Sequence, residues 1–188
     1  MVDERRVAQA VREILLAIGE DPEREGLLET PERVAEAYTQ LFSGLIKDPT
    51  RHLEGGFAEE ARDLILIRDL PMASLCEHHL LPFTGKAHVG YVPEGRVAGF
   101  SELARVVEDY AKRPQLQERL TAQVADALYE KLGSSGAIVM VEATHTCMTM
   151  RSAEAVGSVA VTSAARGIFE EDTARRTEAT MALIRGSL

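Results

Sequence analysis

FTGKAHVGYV, residues Phe83 to Val92, alternates without a break. Phe83, Gly85, Ala87, Val89 and Tyr91 fall on one side and Thr84, Lys86, His88, Gly90 and Val92 on the other. That period of two marks a strand with one buried face, and Pro93-Glu94-Gly95 supplies the turn that ends it. Upstream, Leu64 to Leu70 reads as a partner strand. Downstream, Ser101 is placed to cap a helix through about Lys112, with Leu103, Val106, Val107 and Tyr110 facing inward. After Pro114, Leu116, Leu120, Val124, Leu128 and Leu132 recur at every fourth position, a second helix that Gly133 closes. Ala137 to Met148 and Val156 to Ser163 read as strands, and Asp172-Thr173 opens a C-terminal helix with Met181, Leu183 and Ile184. Strand, strand, helix, helix, strand, strand predicts an α+β unit, a four-stranded antiparallel sheet with helices on one face. Such a sheet has two bare edges that must be blunted or paired, so association through strands is expected.

The first third of the chain has a different character. Val7, Val11, Ile14, Leu15 and Ile18 form a helical stripe within residues 3–19. Thr30 can cap a second helix with Pro31 in its first turn. Val34, Tyr38, Leu41 and Phe42 form its apolar face, and Gly44 is its stop. Lys47 to Glu60 lacks periodicity and reads as loop. The chain thus divides into an N-terminal helical region over 1–60 and an α+β domain over 61–188.

At 188 residues, the chain can bury roughly 70% of its unfolded surface and needs no disulfide staples. It has no apolar run of membrane-span length, and its charged start, MVDERRVAQA, lacks a signal-like apolar core. The expected compartment is the cytoplasm. There, two cysteines 71 positions apart read as thiols rather than as a bridge. A net charge of −9 argues against nonspecific nucleic-acid binding, which needs a positive surface. A small anionic ligand in a local basic pocket remains compatible with it. The isolated Gly85-Lys86 lacks the rest of a phosphate-binding loop.

Just before the alternating strand stands SLCEHHLLPF, Ser74 to Phe83, with Cys76, His78 and His79 within four positions. C-x-x-H spacing lets one turn aim Cys76 and His79 at a single ion. On the strand Ala137 to Met148, alternation would set His145 and Cys147 side by side, about 6–7 Å apart. Adding Cys147 gives a Cys2His set with one vacant tetrahedral position, the pattern of a catalytic zinc. His78 and His145 then flank the ion, free for acid–base work. The same residues also admit a closed structural zinc with His78 or His145 as fourth ligand, and spacing alone does not separate the two.

SLCEHHLLPFTGKAHVGYVP, GFSELARVVEDYAKRPQLQERLTAQVADAL and VEATHTCMTMR together resemble GTP cyclohydrolase I, in register from about Leu64 to Arg185. ETPERVAEAY is similar to that family's N-terminal helical region. The resemblance implies the tunnelling fold, in which antiparallel sheets of several subunits close into a barrel. It implies a homodecamer of two pentamers with active sites between subunits. The reaction implied converts GTP to 7,8-dihydroneopterin triphosphate and formate, the entry step of folate and pterin synthesis. Carried over by motif position, Cys76, His79 and Cys147 would be the Zn2+ ligands, and a water activated by the zinc would attack C8 of the guanine. His145 would give a proton to the opening imidazole ring, His78 would assist nearby transfers, and Ser101 would lie by the ribose. Glu118 would accept hydrogen bonds from the guanine N1–H and amino group, with Gln117 at the base edge beside it. Arg105, Arg151 and Arg33 would bind the triphosphate, as guanidinium forks suit phosphate oxygens.

Two positions depart from the family's pattern. Glu102 stands where a phosphate-contacting lysine is common, and Ser152 stands where glycine follows the arginine. A carboxylate facing a triphosphate is repulsive, and Ser152 would be strained wherever φ must be positive. Glu102 therefore motivates two further expectations: that it turns away from the phosphates or pairs with Arg105, or that the substrate is a less phosphorylated or altered guanine nucleotide. A non-catalytic assembly protein with a structural zinc is the third possibility, opposed by the presence together of Cys76, His78, His79, Glu118, His145 and Cys147.

Overall fold

The computed structural model describes residues 1–152 and 155–185. The chain opens with helices α1 (Glu4–Ala17) and α2 (Thr30–Leu41), which pack against each other. Asp3 caps α1 by accepting from the Arg6 N–H at 3.1 Å. The expected stripe on α1 is only partly buried, for Ile14 is 58% and Ile18 71% exposed. On α2, Glu29 rather than Thr30 occupies the cap position, and Thr30 is the first helical residue. The stretch expected to be loop holds a 3₁₀ turn, Pro49–Leu53, and a two-residue strand β1 (Phe57–Ala58). The 3₁₀ turn sends Leu53 fully into the core.

The main sheet has five strands in the order β5-β2-β3-β6-β7, not four. Its members are β2 (Ile65–Cys76), β3 (Pro82–Val92), β5 (Pro114–Gln115), β6 (Gly136–His145) and β7 (Ala160–Gly167). The fifth strand is the pair Pro114–Gln115, which lies parallel to the end of β2, while the four longer strands are mutually antiparallel. A small separate ladder joins β1 to β4 (Arg96–Val97). β2 runs past its expected end at Leu70. Pro71 is tolerated because β2 bonds only to β3 at that point, so the missing N–H faces an unpaired edge. A bulge between Ile67 and Leu70 places Asp69 at φ 58. β7 begins at Ala160, later than the predicted Val156.

The alternation of β3 is as read: Phe83, Ala87, Val89 and Tyr91 join the principal core. α3 (Phe100–Ala111) and α4 (Gln117–Asp126) cover that face with Leu103, Val106, Val107, Leu120 and Val124. A π-helical turn, Ala127–Lys131, extends α4 and carries Leu128 inward. Helices are not confined to one face. α6 (Ile168–Glu171) and α7 (Thr173–Arg185) bring Phe169, Ala179 and Leu183 against Ile138 and Met140 on the other side. Asp172 caps α7, accepting from Ala174 N–H at 2.9 Å. Gly85 is required where β3 meets β6, since a Cβ there would lie 1.9 Å from the Glu142 carbonyl oxygen.

Candidate metal centre

One end of the sheet collects the chemistry. β2 ends at Cys76 and turns back into β3 through Glu77–Leu81. Cys76 N–H donates to Leu81 O at 2.9 Å, and the N–H groups of His79 and Leu80 return to Cys76 O at 3.3 and 2.8 Å. Closing this turn forces Leu80 to φ 52, a left-handed conformation that costs a leucine about 1–2 kcal/mol. The result is that His79 folds back toward Cys76, with Sγ 4.0 Å from Nδ1.

The second cysteine arrives by a different route from the one expected. β6 stops at His145, and Thr146–Thr149 form one helical turn, α5, tied to the start of β3 by Thr146 Oγ1 donating to Pro82 O at 2.6 Å. Cys147 therefore does not project beside His145 by strand alternation. The turn swings it onto the hairpin, where the ligand atoms of Cys76, His79 and Cys147 lie within 4.8 Å of one another.

Two thiols and an imidazole form the nitrogen–sulfur set that suits zinc. A tetrahedral ion would hold its sulfur and nitrogen ligands about 3.5 Å apart, close to the 4.0 Å between Cys76 and His79. Burial, and then the adjacent Cys76, push the Cys147 thiol upward. A cation between the sulfurs would reverse that penalty. The residues fit the ion.

His145 sits beside the cluster, paired in register with Phe83, and its ring stacks on Phe83 at 4.5 Å and 4°. Its Nε2 is 2.8 Å from Gln117 Oε1. Burial lowers the imidazole's pKa, and the charge of nearby Glu118 offsets part of that. Glu118 is exposed on the first turn of α4. His78 is exposed, its ring perpendicular to that of His79 at 6.2 Å. Arg151 Nη1 reaches His79 Nε2 at 3.2 Å, setting a guanidinium against the cluster. Glu77 and Arg119 are paired between the hairpin and α4, with Arg119 Nη2 donating to Glu77 Oε1 at 3.1 Å.

The structure brings Cys76, His78, His79, Glu118, Gln117, His145, Cys147 and Arg151 to this end. The Gln117 side chain, expected at the base edge, is 2% exposed and bonded to Val141, Ala160, Thr162 and His145. Ser101, Arg105 and Arg33 lie elsewhere. Ala98 N–H donates to Tyr91 Oη at 3.1 Å, which puts the start of α3 at the Tyr91 end of β3. Phe83 to Tyr91 is eight strand steps, roughly 27 Å, so Ser101 belongs to the opposite end of the sheet from His145. It is also not the helix cap: Gly99 is, and Ser101 is the second helical residue. Arg105 is exposed one turn further along α3, and Arg33 is exposed on α2, paired with Glu29. Among the described residues only Asp69 and Leu80 combine a side chain with positive φ, so Ser152 does not require glycine. Glu102 accepts from the Gly99 N–H at 2.9 Å.

The profile of the GTP cyclohydrolase I family matches residues 7–185. A GTP cyclohydrolase 1 of Carboxydothermus hydrogenoformans is 59% identical, covering 98% of this chain and 96% of the relative. Similar proteins of the same name occur in Pelotomaculum thermopropionicum, 54% identical over 99% of both chains, and Clostridioides difficile, 57% identical over 97% of both. Among solved structures, an archaeosine synthase QueF-like protein in its apo form overlays 57% of this chain at TM-score 0.48 and 18% identity, a likeness from which nothing is carried over.

Proposed function

The chain belongs to the GTP cyclohydrolase I family, and from that premise we propose that it opens the guanine imidazole ring of GTP with zinc held by Cys76, His79 and Cys147. The products are formate and 7,8-dihydroneopterin triphosphate, which feed folate and pterin synthesis in the cytoplasm. Among the described residues no helix is long and apolar enough to cross a membrane. The observation that carries the reading is the approach of three ligand atoms to within 4.8 Å from segments 71 residues apart, with His145 alongside. Bound zinc supplies Lewis acidity, which makes a hydrolytic water acidic near neutral pH.

The remaining roles fall to this chain's own side chains. Glu118 pairs with the guanine N1–H and amino group, rejecting adenine because a carboxylate facing it would be left unpaired. His145 moves a proton to and from the ring being opened, and His78 serves nearby transfers from its exposed position on the hairpin. Arg151, already beside His79, takes a phosphate oxygen.

Ser101 starts α3 at the far end of the sheet, and Arg105 and Arg33 make no hydrogen bond or ion pair with the cluster among the described residues. We assign them to sites completed by neighbouring copies. The outer edges of β7 and of most of β2 carry no partner strand among the described residues. Joining them edge to edge closes the sheets into the barrel of a tunnelling fold, in a decamer of two pentamers with 61–188 as the catalytic domain and 1–60 as the helical region. Edge pairing also removes the aggregation hazard of bare strands.

The test is incubation of metal-replete protein with GTP, following formate release and pterin absorbance, beside a chelated sample. Both products, lost on chelation and restored by zinc, are expected. Turnover that survives complete metal removal would overturn the reading.

A further inference from the structure

Gln117 is the first residue of α4 and lies beneath His145, and the directions of its hydrogen bonds can be worked out completely. Its Nε2 stands 3.0 Å from Val141 O, 3.0 Å from Ala160 O and 3.2 Å from Thr162 Oγ1. Two of these are carbonyl oxygens, which only accept, so the amide nitrogen must face them. The opposite orientation of the carboxamide would set oxygen against oxygen twice over in a buried place. The third contact is fixed by a chain of hydroxyls. Thr121 Oγ1 donates to Gln117 O at 2.7 Å, so its hydrogen is committed. Thr162 then donates across the 2.6 Å separation to Thr121 Oγ1, so its oxygen presents lone pairs to Gln117, whose two hydrogens are shared among the three acceptors.

The consequence reaches the site. Gln117 Oε1 carries no hydrogen, so across the 2.8 Å contact His145 Nε2 must donate. A neutral imidazole has one ring hydrogen. With that hydrogen on Nε2, Nδ1 holds the lone pair. Stacking on Phe83 fixes the plane of the ring, and the carboxamide fixes its rotation within that plane.

We infer that Gln117 is a positioning residue for His145, its Oε1 accepting from Nε2–H and so fixing the rotation of a ring whose plane Phe83 sets. This rests on the proton-transfer role proposed for His145, and it removes the Gln117 side chain from the list of groups that touch the base.

The test is a double-mutant cycle with Gln117→Met, which keeps the length but neither donor nor acceptor, in wild-type and His145→Ala backgrounds. Single-turnover rates, GTP affinity and zinc content are measured for each. The expected result is a kcat lower by about 10- to 100-fold, within the range for a misplaced proton-transfer group, with KM within about threefold and zinc unchanged. In the His145→Ala background, Gln117→Met should cost nothing further. Thr162→Val removes one acceptor without opening a cavity and should give a smaller loss of the same kind, so it carries the test should Gln117→Met fail to fold. A loss that multiplies with His145→Ala, or GTP affinity that falls equally in both backgrounds, would overturn the positioning role and return Gln117 to the base. Wild-type turnover by His145→Ala would overturn the reading of His145 itself.

Discussion

The Gly99 N–H donates to the Glu102 carboxylate at 2.9 Å, three residues into α3. The acidic group therefore satisfies an orphan donor at the helix start and complements the helix dipole. Its carboxylate is bonded to its own backbone, the first of the expectations drawn for Glu102. Glu102→Ala is expected to lower stability by about 0.5–2 kcal/mol and to leave KM for GTP within about threefold. Denaturant midpoints and steady-state kinetics check this. A tenfold gain in kcat/KM would show instead that the carboxylate repels the triphosphate.

His145 stands next to the ligand cluster with its ring nitrogen on Gln117, outside the ligand set. His145→Ala should keep its zinc while turnover falls by about 10²- to 10⁴-fold. Metal analysis beside a formate assay separates the outcomes, since loss of both together would make His145 a ligand.

Cys147 comes from the helical turn Thr146–Thr149. Cys147→Ser replaces a thiolate with a poor zinc ligand. Zinc affinity and turnover should fall together, with circular dichroism of the metal-free protein unchanged, because Cys147 is packed at the margin of the core rather than inside it. Equilibrium dialysis against zinc measures the first quantity directly.

Asp109 is buried on α3, where burial alone would push its carboxyl up. Hydrogen bonds from Lys47 at 2.9 Å and His52 at 2.8 Å outweigh that and hold it below the ordinary carboxylate range. Because the folded value is the depressed one, the stability it contributes is present above the unfolded pKa of about 3.9 and is lost as pH falls through the folded value. Asp109→Asn should cost about 1–3 kcal/mol near neutrality. The gap between variant and wild type should close in acid, as read from denaturant midpoints across that range. A gap that stays constant with pH would mean the Lys47 and His52 contacts contribute nothing through charge.

The sequence by itself determined whatever repeats locally. The period of two over Phe83 to Val92 placed β3 and named its buried face, because successive side chains of a strand can only alternate. The i, i+4 leucines placed α4, and Asp172-Thr173 placed the start of α7. C-x-x-H named Cys76 and His79, since one tight turn sets both side chains. Tertiary structure decided what depends on a neighbour. Pro71 stays within β2 only because the other edge of that strand is empty there. The strand pattern through Cys147 was overruled by a helical turn tied to Pro82, a contact between residues 64 positions apart. The family resemblance puts Gln117 at the base edge, and nothing in its spacing distinguishes a base contact from a buried strut. Its partners Val141, Ala160 and Thr162 lie on two strands distant in sequence, so its role existed only once β6, β7 and α4 had packed. Local periodicity is written along the chain, whereas the direction of a buried hydrogen bond is written by whichever acceptors folding brings to it.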